Sequence, residues 1–455
     1  MGAATLLIPE LLVGVAALAA LFVDATKAGD RAAAWIGAAA AAIAAVLAVA
    51  GPHAGRMFGG MLAFDGSSSV PRAAVAGLTA LWCLWVAGRG MGARSSAGVS
   101  LALWSAVGGM LLVSAADIIT LFLALELATI PAYILIGYET GSEHGIEGAL
   151  KYFLLSVLTS LLMLYGLSFV FGISGSTAYA AIDLSRAGAL GVVAAVLVVV
   201  GFLAKLSAAP FHFWAPDAYE GAPAVCVAFV STVPKVAGLV ALVHLFGPLS
   251  TGAGNVALVA FGAAILSMLL GNLGAYPQTD LRRLMAYSGI AHSGYLLLGV
   301  SSGPAGLTAA VFYALAYTAP SMGIMLVASA TGPKLDDVAG LIRRKPWLAL
   351  VTTVFLLSLV GMPPLAGFFG KLFVFGSALA AGQVFGVVTA VVMSVISAGY
   401  YFRVVRPMFF AEPVSAAPVT LTGPGVIAIA GCVLVTLALG VLSSPVLAAL
   451  IGPAH

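Results

Sequence analysis

Residues 119–138 read ITLFLALELATIPAYILIGY, twenty positions that carry a single charge, Glu126. The stretch is long enough to cross a bilayer, whose hydrocarbon core of about 30 Å needs roughly 20 helical residues. Counted from Asp117, where the helix is expected to begin, Glu126 lies about 13 Å along at roughly 1.5 Å per residue, close to mid-membrane. A charge at that depth costs roughly 2.5–3.5 kcal/mol on insertion scales, so such residues tend to face a protein interior or mark an ion pathway. Three lysines share this placement: Lys205, Lys235 in VAFVSTVPKVAGLVALV, and Lys371. His292 in YSGIAHSGY follows Ser288 by one turn on the same helix face.

Composition agrees with a lipid-embedded chain. Its 455 residues are 62% hydrophobic and 8% charged, with mean hydropathy +1.14. A soluble domain carries about 25% charged residues, so this chain cannot cover a globular surface with polar groups. The net charge of +3 and the lack of a long basic run exclude a nucleic-acid partner. Cys83, Cys226 and Cys432 lie apart in apolar segments and suit helix packing. Neither Cys clusters for Fe–S centres, nor His pairs for haem, nor a GxGxxG or GK[ST] phosphate loop occurs. The chain is expected to hold no metal and no cofactor of its own. The N-terminal apolar run is read as a retained first helix.

Windows of about 20 residues predict an all-α polytopic membrane protein with about fourteen transmembrane helices. The spans fall near 4–23, 32–51, 73–88, 98–114, 116–138, 149–172, 190–216, 222–248, 254–274, 283–301, 304–330, 347–382, 385–409 and 424–451. The seventh is interrupted at Ala209-Pro210 and the twelfth at Gly361-Met362-Pro363-Pro364. Mid-helix proline frees carbonyls, which a membrane tolerates only where protein or water satisfies them. Breaks at matching places in two halves mark an inverted-repeat transporter. Spans 4–8 and 9–13 would be the repeats, and an odd number of helices per repeat turns the second over. The expected units are an N-terminal segment 1–97, repeats 98–250 and 251–412, and a C-terminal helix 413–455. Connections after odd-numbered spans carry thirteen Lys and Arg, Lys27, Arg94, Lys151 and Arg283 among them, while those after even-numbered spans carry Arg56, Arg72 and Arg186. The positive-inside bias puts both termini on the outer side.

Burial disfavours an ammonium and a nearby carboxylate favours it. A lysine whose carboxylate partner approaches or retreats is therefore a switchable proton site. Glu126 and Lys205 are expected to be that pair, with Lys235, His292 and Lys371 continuing as a polar line. Glu10, Asp217, Glu220 and His244 are read as structural or interfacial, and Asp336, Asp337, Arg343, Arg344 and Lys345 as a solvated loop.

LALELATIPAYILIGY, GALKYFLLS, LYGLSFVFGISGST, KLSAAPFHFWAPDAYEGAP, DLRRLMAYSGIAHSGYLLLG and LSLVGMPPLAGFFGKLFVF together resemble the antiporter-like subunits of respiratory complex I. The resemblance is nearest to the subunit N branch of the bacterial NADH–quinone oxidoreductases and spans roughly residues 100–410. It implies proton translocation driven by quinone reduction, with NADH, FMN, Fe–S clusters and quinone held by partner subunits. It also implies neighbouring antiporter-like subunits as partners and a multi-pass place in the bacterial inner membrane. By position, Glu126 matches the family's fifth-helix glutamate, Lys205 the lysine of the broken seventh helix, Lys235 the central eighth-helix lysine and Lys371 the twelfth-helix lysine. Lys151 matches a sixth-helix lysine at a possible entry path beside Glu143, His144 and Glu147, and His212 a histidine beside the break. Other classes that share the repeat are a multi-subunit Na⁺/H⁺ antiporter, a hydrogenase- or ferredoxin-linked relative, and a non-pumping scaffold.

Overall fold

A computed structural model describes residues 3–23, 29–51, 54–92, 95–138, 142–250, 255–414 and 419–451. Lys27 and Arg94 of the charge count, and the chain's first two and last four residues, lie outside them. The described chain is helical apart from one hairpin. Its N-terminal helices are α1 (Ile8–Val23), α2 (Gly29–Ala50) and α3 (Gly66–Arg89), with the hairpin strands β1 (Gly55–Met57) and β2 (Leu62–Phe64) before α3. Next come α4 (Ser95–Leu112), α5 (Ile118–Ile136), α6 (Glu143–Ser174), α7 (Ala189–Lys205), α8 (Trp214–Gly221), α9 (Ala224–Val230) and α10 (Val233–Ser250). The next group is α11 (Asn255–Ala275), α12 (Leu281–Val300), α13 (Pro304–Thr331), α14 (Leu341–Arg344), α15 (Pro346–Val360), α16 (Ala366–Ala380) and α17 (Val384–Phe410). The chain closes with α18 (Gly423–Val441) and α19 (Ser443–Ile451). Among the described residues, eleven helices are long and apolar enough to cross a membrane, counting Ala224–Ser250 as one. The protein is thus an all-helical, polytopic membrane protein.

Several boundaries differ from expectation for local reasons. The third span begins at Gly66 rather than 73, because Asp65 caps it: its carboxylate accepts from Ser68 N at 3.0 Å while Ser68 Oγ accepts from Asp65 N at 3.1 Å. Arg72 is therefore no loop residue. It is buried in α3, donating from Nε and Nη2 to the two carboxylate oxygens of Glu10 at 2.8 Å each. Nη2 also donates to Leu6 O at 2.9 Å, and the guanidinium lies 4.5 Å from the Phe64 ring centre. Glu10 is likewise buried, as suits a structural residue, and this fork ties α1 to α3. The seventh helix stops at Lys205, ahead of Ala209-Pro210. Pro210 cannot donate a backbone hydrogen bond, and in a continued helix its ring would strike the carbonyl four residues back, that of Leu206. The eighth span is broken as well, between α9 and α10, which the expectation of one continuous helix over 222–248 missed. The twelfth breaks as predicted, between α15 and α16. The 336–345 segment, read as a solvated loop, holds a 3-10 turn (Leu335–Val338) followed by α14.

Burial is greatest at the centre. Every residue in the apolar windows of α9–α10 and of α13 is buried, whereas fewer than half are in α6, α17 and α18. Lys235 therefore sits on one of the two innermost helices.

Two pairs of helices are built alike. Asp117 and Asp280 cap α5 and α12, accepting from Ile119 N (2.8 Å) and Thr120 N (3.2 Å), and from Arg282 N (2.8 Å) and Arg283 N (3.3 Å). Ile118 N donates to Thr177 O at 2.9 Å, and Leu281 N to Pro333 O at 2.7 Å. Each cap is thereby stitched to the segment that follows the next helix, α6 or α13. Close approach depends on glycine in both pairs. A Cβ on Gly108 would lie 2.3 Å from Ala128 N, and one on Gly271 would lie 2.3 Å from Ala291 N. Because the obstacle is backbone, Gly271→Ala should lower stability by about 1–3 kcal/mol. Gly376→Ala, with nothing within 4 Å of its added carbon, should not. Thermal denaturation of the two variants side by side checks this, and equal midpoints would contradict the packing argument.

Candidate functional site: a buried line of charge

The site begins on α5. The Asp117 cap sets the phase of the helix, so Glu126, Thr129 and Tyr133 fall on one face at intervals of three and four. Lys205, the last residue of α7, meets that face. Its Nζ lies 2.5 Å from Tyr133 Oη, 3.4 Å from Thr129 Oγ1 and 3.6 Å from Glu126 Oε1. Glu126 takes its shorter bond elsewhere, accepting from Ser160 Oγ at 2.7 Å. The carboxylate and ammonium are thus paired but held apart, each with a closer hydroxyl partner. The Lys205 side chain is 2% exposed and that of Glu126 21%, so Glu126 stands on the outer side of the pair.

The break after Lys205 is satisfied by polar side chains. Trp214 Nε1 donates to Ala204 O at 3.0 Å, Ser293 Oγ donates to Leu206 O at 2.5 Å, and Ser267 Oγ accepts from Ala209 N at 2.8 Å. A helix end in a membrane needs such partners. Here they come from α8, α12 and α11, fixing the end of α7 and Lys205 with it.

Inward, the Lys205 stem packs on α10, where a Cβ on Gly238 would lie 4.0 Å from its Cβ. Lys235 is one turn earlier on α10, just past the Ser231-Thr232 break. Its Nζ donates to Gly289 O at 2.8 Å and lies 5.4 Å from the Tyr317 ring centre. The Tyr317 ring is 4.9 Å from that of His292. His292 is held at both nitrogens, Nδ1 at 2.7 Å from Tyr313 Oη and Nε2 at 3.2 Å from Tyr401 Oη. Tyr401 Oη in turn lies 2.5 Å from Ser288 Oγ. Tyr295 continues the line, its ring 5.8 Å from His292 and 5.1 Å from Lys371 Nζ.

Lys371, on α16, closes it at the second break. Its Nζ donates to Leu359 O at 3.0 Å, Val360 O at 2.7 Å and Ser394 Oγ at 2.7 Å. The carbonyls freed by the end of α15 are taken up by the lysine itself. Among the described residues, neither Lys235 nor Lys371 is bonded to a carboxylate, and carbonyls and one hydroxyl serve their amines.

The two secondary residues stand off this line. Lys151 is 46% exposed and bound to Glu147 at 2.7 Å and Asp217 at 2.6 Å. Asp217 is shared with Arg283 at 2.7 Å, and Arg283 also holds Glu220 at 2.7 Å. Asp217 and Glu220 therefore lie on α8 in an ion-pair network that spans α6, α8 and α12. A hollow of about 190 Å³ lined by His144, Glu147, Lys151, Asp217 and Glu220 opens there. On the same helices Tyr152 stacks on Trp214 with ring centres 3.8 Å apart and meets the Tyr133 ring edge-on at 4.6 Å. His212 is buried against Phe213 with ring centres 4.6 Å apart, and none of its described contacts joins it to Lys205, Lys235 or His292.

Sequence reasoning missed Ser160, Thr129, Tyr133, Tyr295, Tyr313, Tyr317, Ser394 and Tyr401. The signal was present as polar residues at helical spacing inside apolar helices: Ser288, His292 and Tyr295 on α12, and Ser394, Ser397 and Tyr401 on α17. Among the described residues no three His, Cys, Asp or Glu side chains gather into a metal ligand set.

Long apolar helices, some of them broken beside buried amines, define a polytopic membrane protein of the ion-translocating class. Residues 115–397 match the family described as NADH:quinone oxidoreductase/Mrp antiporter, TM. The chain is 39% identical over 357 residues to NADH-quinone oxidoreductase subunit N of Heliobacterium modesticaldum, covering 76% of this chain and 75% of that protein. It is 39% identical over 453 residues to the subunit N of Desulfovibrio desulfuricans, covering 91% and 88%. A chain of respiratory complex I from Thermus thermophilus superposes with a TM-score of 0.84 at 32% identity, covering 98% of this chain and 100% of that one. The chain belongs to the NADH:quinone oxidoreductase/Mrp antiporter membrane family, on its subunit N side.

Proposed function

We propose that this chain is the proton-translocating subunit N of an NADH–quinone oxidoreductase in a bacterial inner membrane, and that Glu126, Lys205, Lys235, His292 and Lys371 carry the proton. The observation that bears most weight is that Glu126 meets Lys205, that the Lys205 stem lies beside Gly238 on α10, one turn from Lys235, and that Lys235, Tyr317, His292, Tyr295 and Lys371 then follow one another through the core. NADH, FMN, Fe–S clusters and quinone belong to partner subunits. This chain has no redox centre and contributes translocation to the shared enzyme. Its partners are the other membrane subunits, including neighbouring antiporter-like ones.

Fourteen spans follow if α7 with α8, α9 with α10, α15 with α16, and α18 with α19 each cross once. Repeats 98–250 and 251–412 are then inverted copies between the units 1–97 and 413–455. The paired Asp117 and Asp280 caps, their equivalent stitches and the two glycine contacts support that symmetry. The Lys and Arg bias supports termini on the outer side.

A charge shift in a neighbouring subunit reaches Glu126 first, because it is the outer member of the pair. Drawing the carboxylate towards Lys205 favours the ammonium, and withdrawing it releases a proton inward. Tyr133 and Ser160 hold the two apart and so set the threshold for this step. Lys235 receives the proton beside Tyr317, His292 passes it on, and Lys371 releases it at the second break. Lys151 and the Asp217–Arg283 network gather protons at the cytoplasmic mouth, with His212 a side branch beside the first break.

Reconstituted vesicles test this reading. Glu126→Gln should lower coupled turnover about a hundredfold, the scale of a positioned proton-transfer group. Tyr133→Phe, which removes one hydrogen bond to an amine, should lower it roughly tenfold. Normal rates of proton uptake and electron flow in both would overturn the proposal. The same family also contains antiporter subunits, and copurification of flavin and Fe–S partners with the chain separates the two. Sodium-dependent exchange without those partners would favour the antiporter.

A further inference from the structure

We infer that a hollow beside two arginines near the C-terminal end of α17 binds the phosphate of an anionic phospholipid. It measures about 520 Å³ and is lined by Thr279, Asp336, Arg403, Arg406 and Phe410, among others. Arg403 and Arg406 are one turn apart on α17 and both are exposed.

Their pairing sets them apart from nearby arginines. Arg282 meets Asp280 at 2.8 Å, Arg283 meets Asp217 and Glu220, and Arg343 meets Glu412. Arg403 makes one long bond, to Gln278 O at 3.5 Å. Among the described residues, no carboxylate lies within ion-pair distance of Arg403 or Arg406. Asp336 borders the hollow without pairing to either. Of the charged residues that line it, Arg403 and Arg406 outnumber Asp336. Two guanidiniums without an internal counter-ion, facing a concave space, suit a phosphate diester, which takes paired N–H donors.

Depth chooses the source of that phosphate. From Val384 to Arg403 the helix rises about 28 Å, nearly the hydrocarbon thickness, which sets the guanidiniums at headgroup level. Below Arg406, on the same side of α17, Val388, Val392, Val395 and Phe402 are all exposed. An acyl chain has an apolar lane there directly beneath the headgroup. In the orientation proposed above this is the cytoplasmic leaflet, whose anionic lipids attract basic residues. The inference rests on the membrane-embedded reading and on the orientation proposed with it, and its test measures lipid rather than pumping.

The assembled complex is placed in nanodiscs of equal phosphatidylglycerol and phosphatidylcholine, extracted in mild detergent, and its retained lipid counted by native mass spectrometry. The wild type should keep phosphatidylglycerol in preference to phosphatidylcholine. The double variant Arg403→Gln/Arg406→Gln should keep it roughly tenfold less well, while Arg343→Gln is unchanged. Excess inorganic phosphate should not displace the lipid. Equal retention by wild type and double variant would overturn the inference, as would displacement by phosphate. Absence of a lipid preference in the wild type would overturn it too, and loss of a neighbouring subunit from the double variant would then assign the arginines to a protein carboxylate.

Discussion

Replacing Lys235 with methionine is expected to abolish proton movement through this chain while leaving it folded. Methionine keeps the length of the side chain and removes its titratable end. Loss of a buried amine in favour of an apolar side chain is often neutral or stabilising. Gly289 O loses the Lys235 donor, but it lies inside α12, where the backbone N–H four residues on serves it, so no buried carbonyl is orphaned. The thermal midpoint should therefore stay near that of the wild type. Coupled turnover should fall at least about a hundredfold, because Lys235 stands on α10 between Lys205 and the Tyr317–His292 pair. Assayed in vesicles, wild-type turnover in this variant would remove the centre of the proposed relay.

Arg72→Ala carries the largest expected cost in stability. Arg72 and Glu10 are each 3% exposed, and truncating the arginine strands a carboxylate as well as Leu6 O. Breaking one side of a buried pair costs about 3–5 kcal/mol. α1 should detach from α3, and the chain should denature at lower temperature or fail to assemble. The double variant Arg72→Met/Glu10→Met removes both charges and should recover most of the loss. Equal instability of single and double variants would show that the charges were not the cause. The defect should appear in assembly, and proton transfer by whatever complex does assemble should be normal, since neither residue touches the buried line.

The helical spans and the principal charges were legible because lipid imposes a strong, local signal: long apolar runs with rare ionisable residues. The break at Pro363-Pro364 was legible for the same reason. What escaped were features set by partners distant in sequence. Glu10 and Arg72 are 62 positions apart, and nothing near either announces the other. The break at Ser231-Thr232 was hidden because Pro234 looked like an ordinary kink. It stands second in α10, where a missing N–H costs little. Tyrosines on apolar helices pass for core, and only their spacing with Glu126 or His292 betrays a polar face. Lys151 and His212 matched family positions in sequence, yet the fold gives one to an ion-pair network at the end of α6 and the other to a pocket beside Phe213.

The proton-to-electron ratio of reconstituted vesicles is the most direct test of the buried line. It should be measured with Lys205, Lys235 and Lys371 replaced by methionine one at a time. The account predicts the same lowered ratio for all three, with electron flow restored by an uncoupler. A ratio equal to that of the wild type in each variant would contradict it.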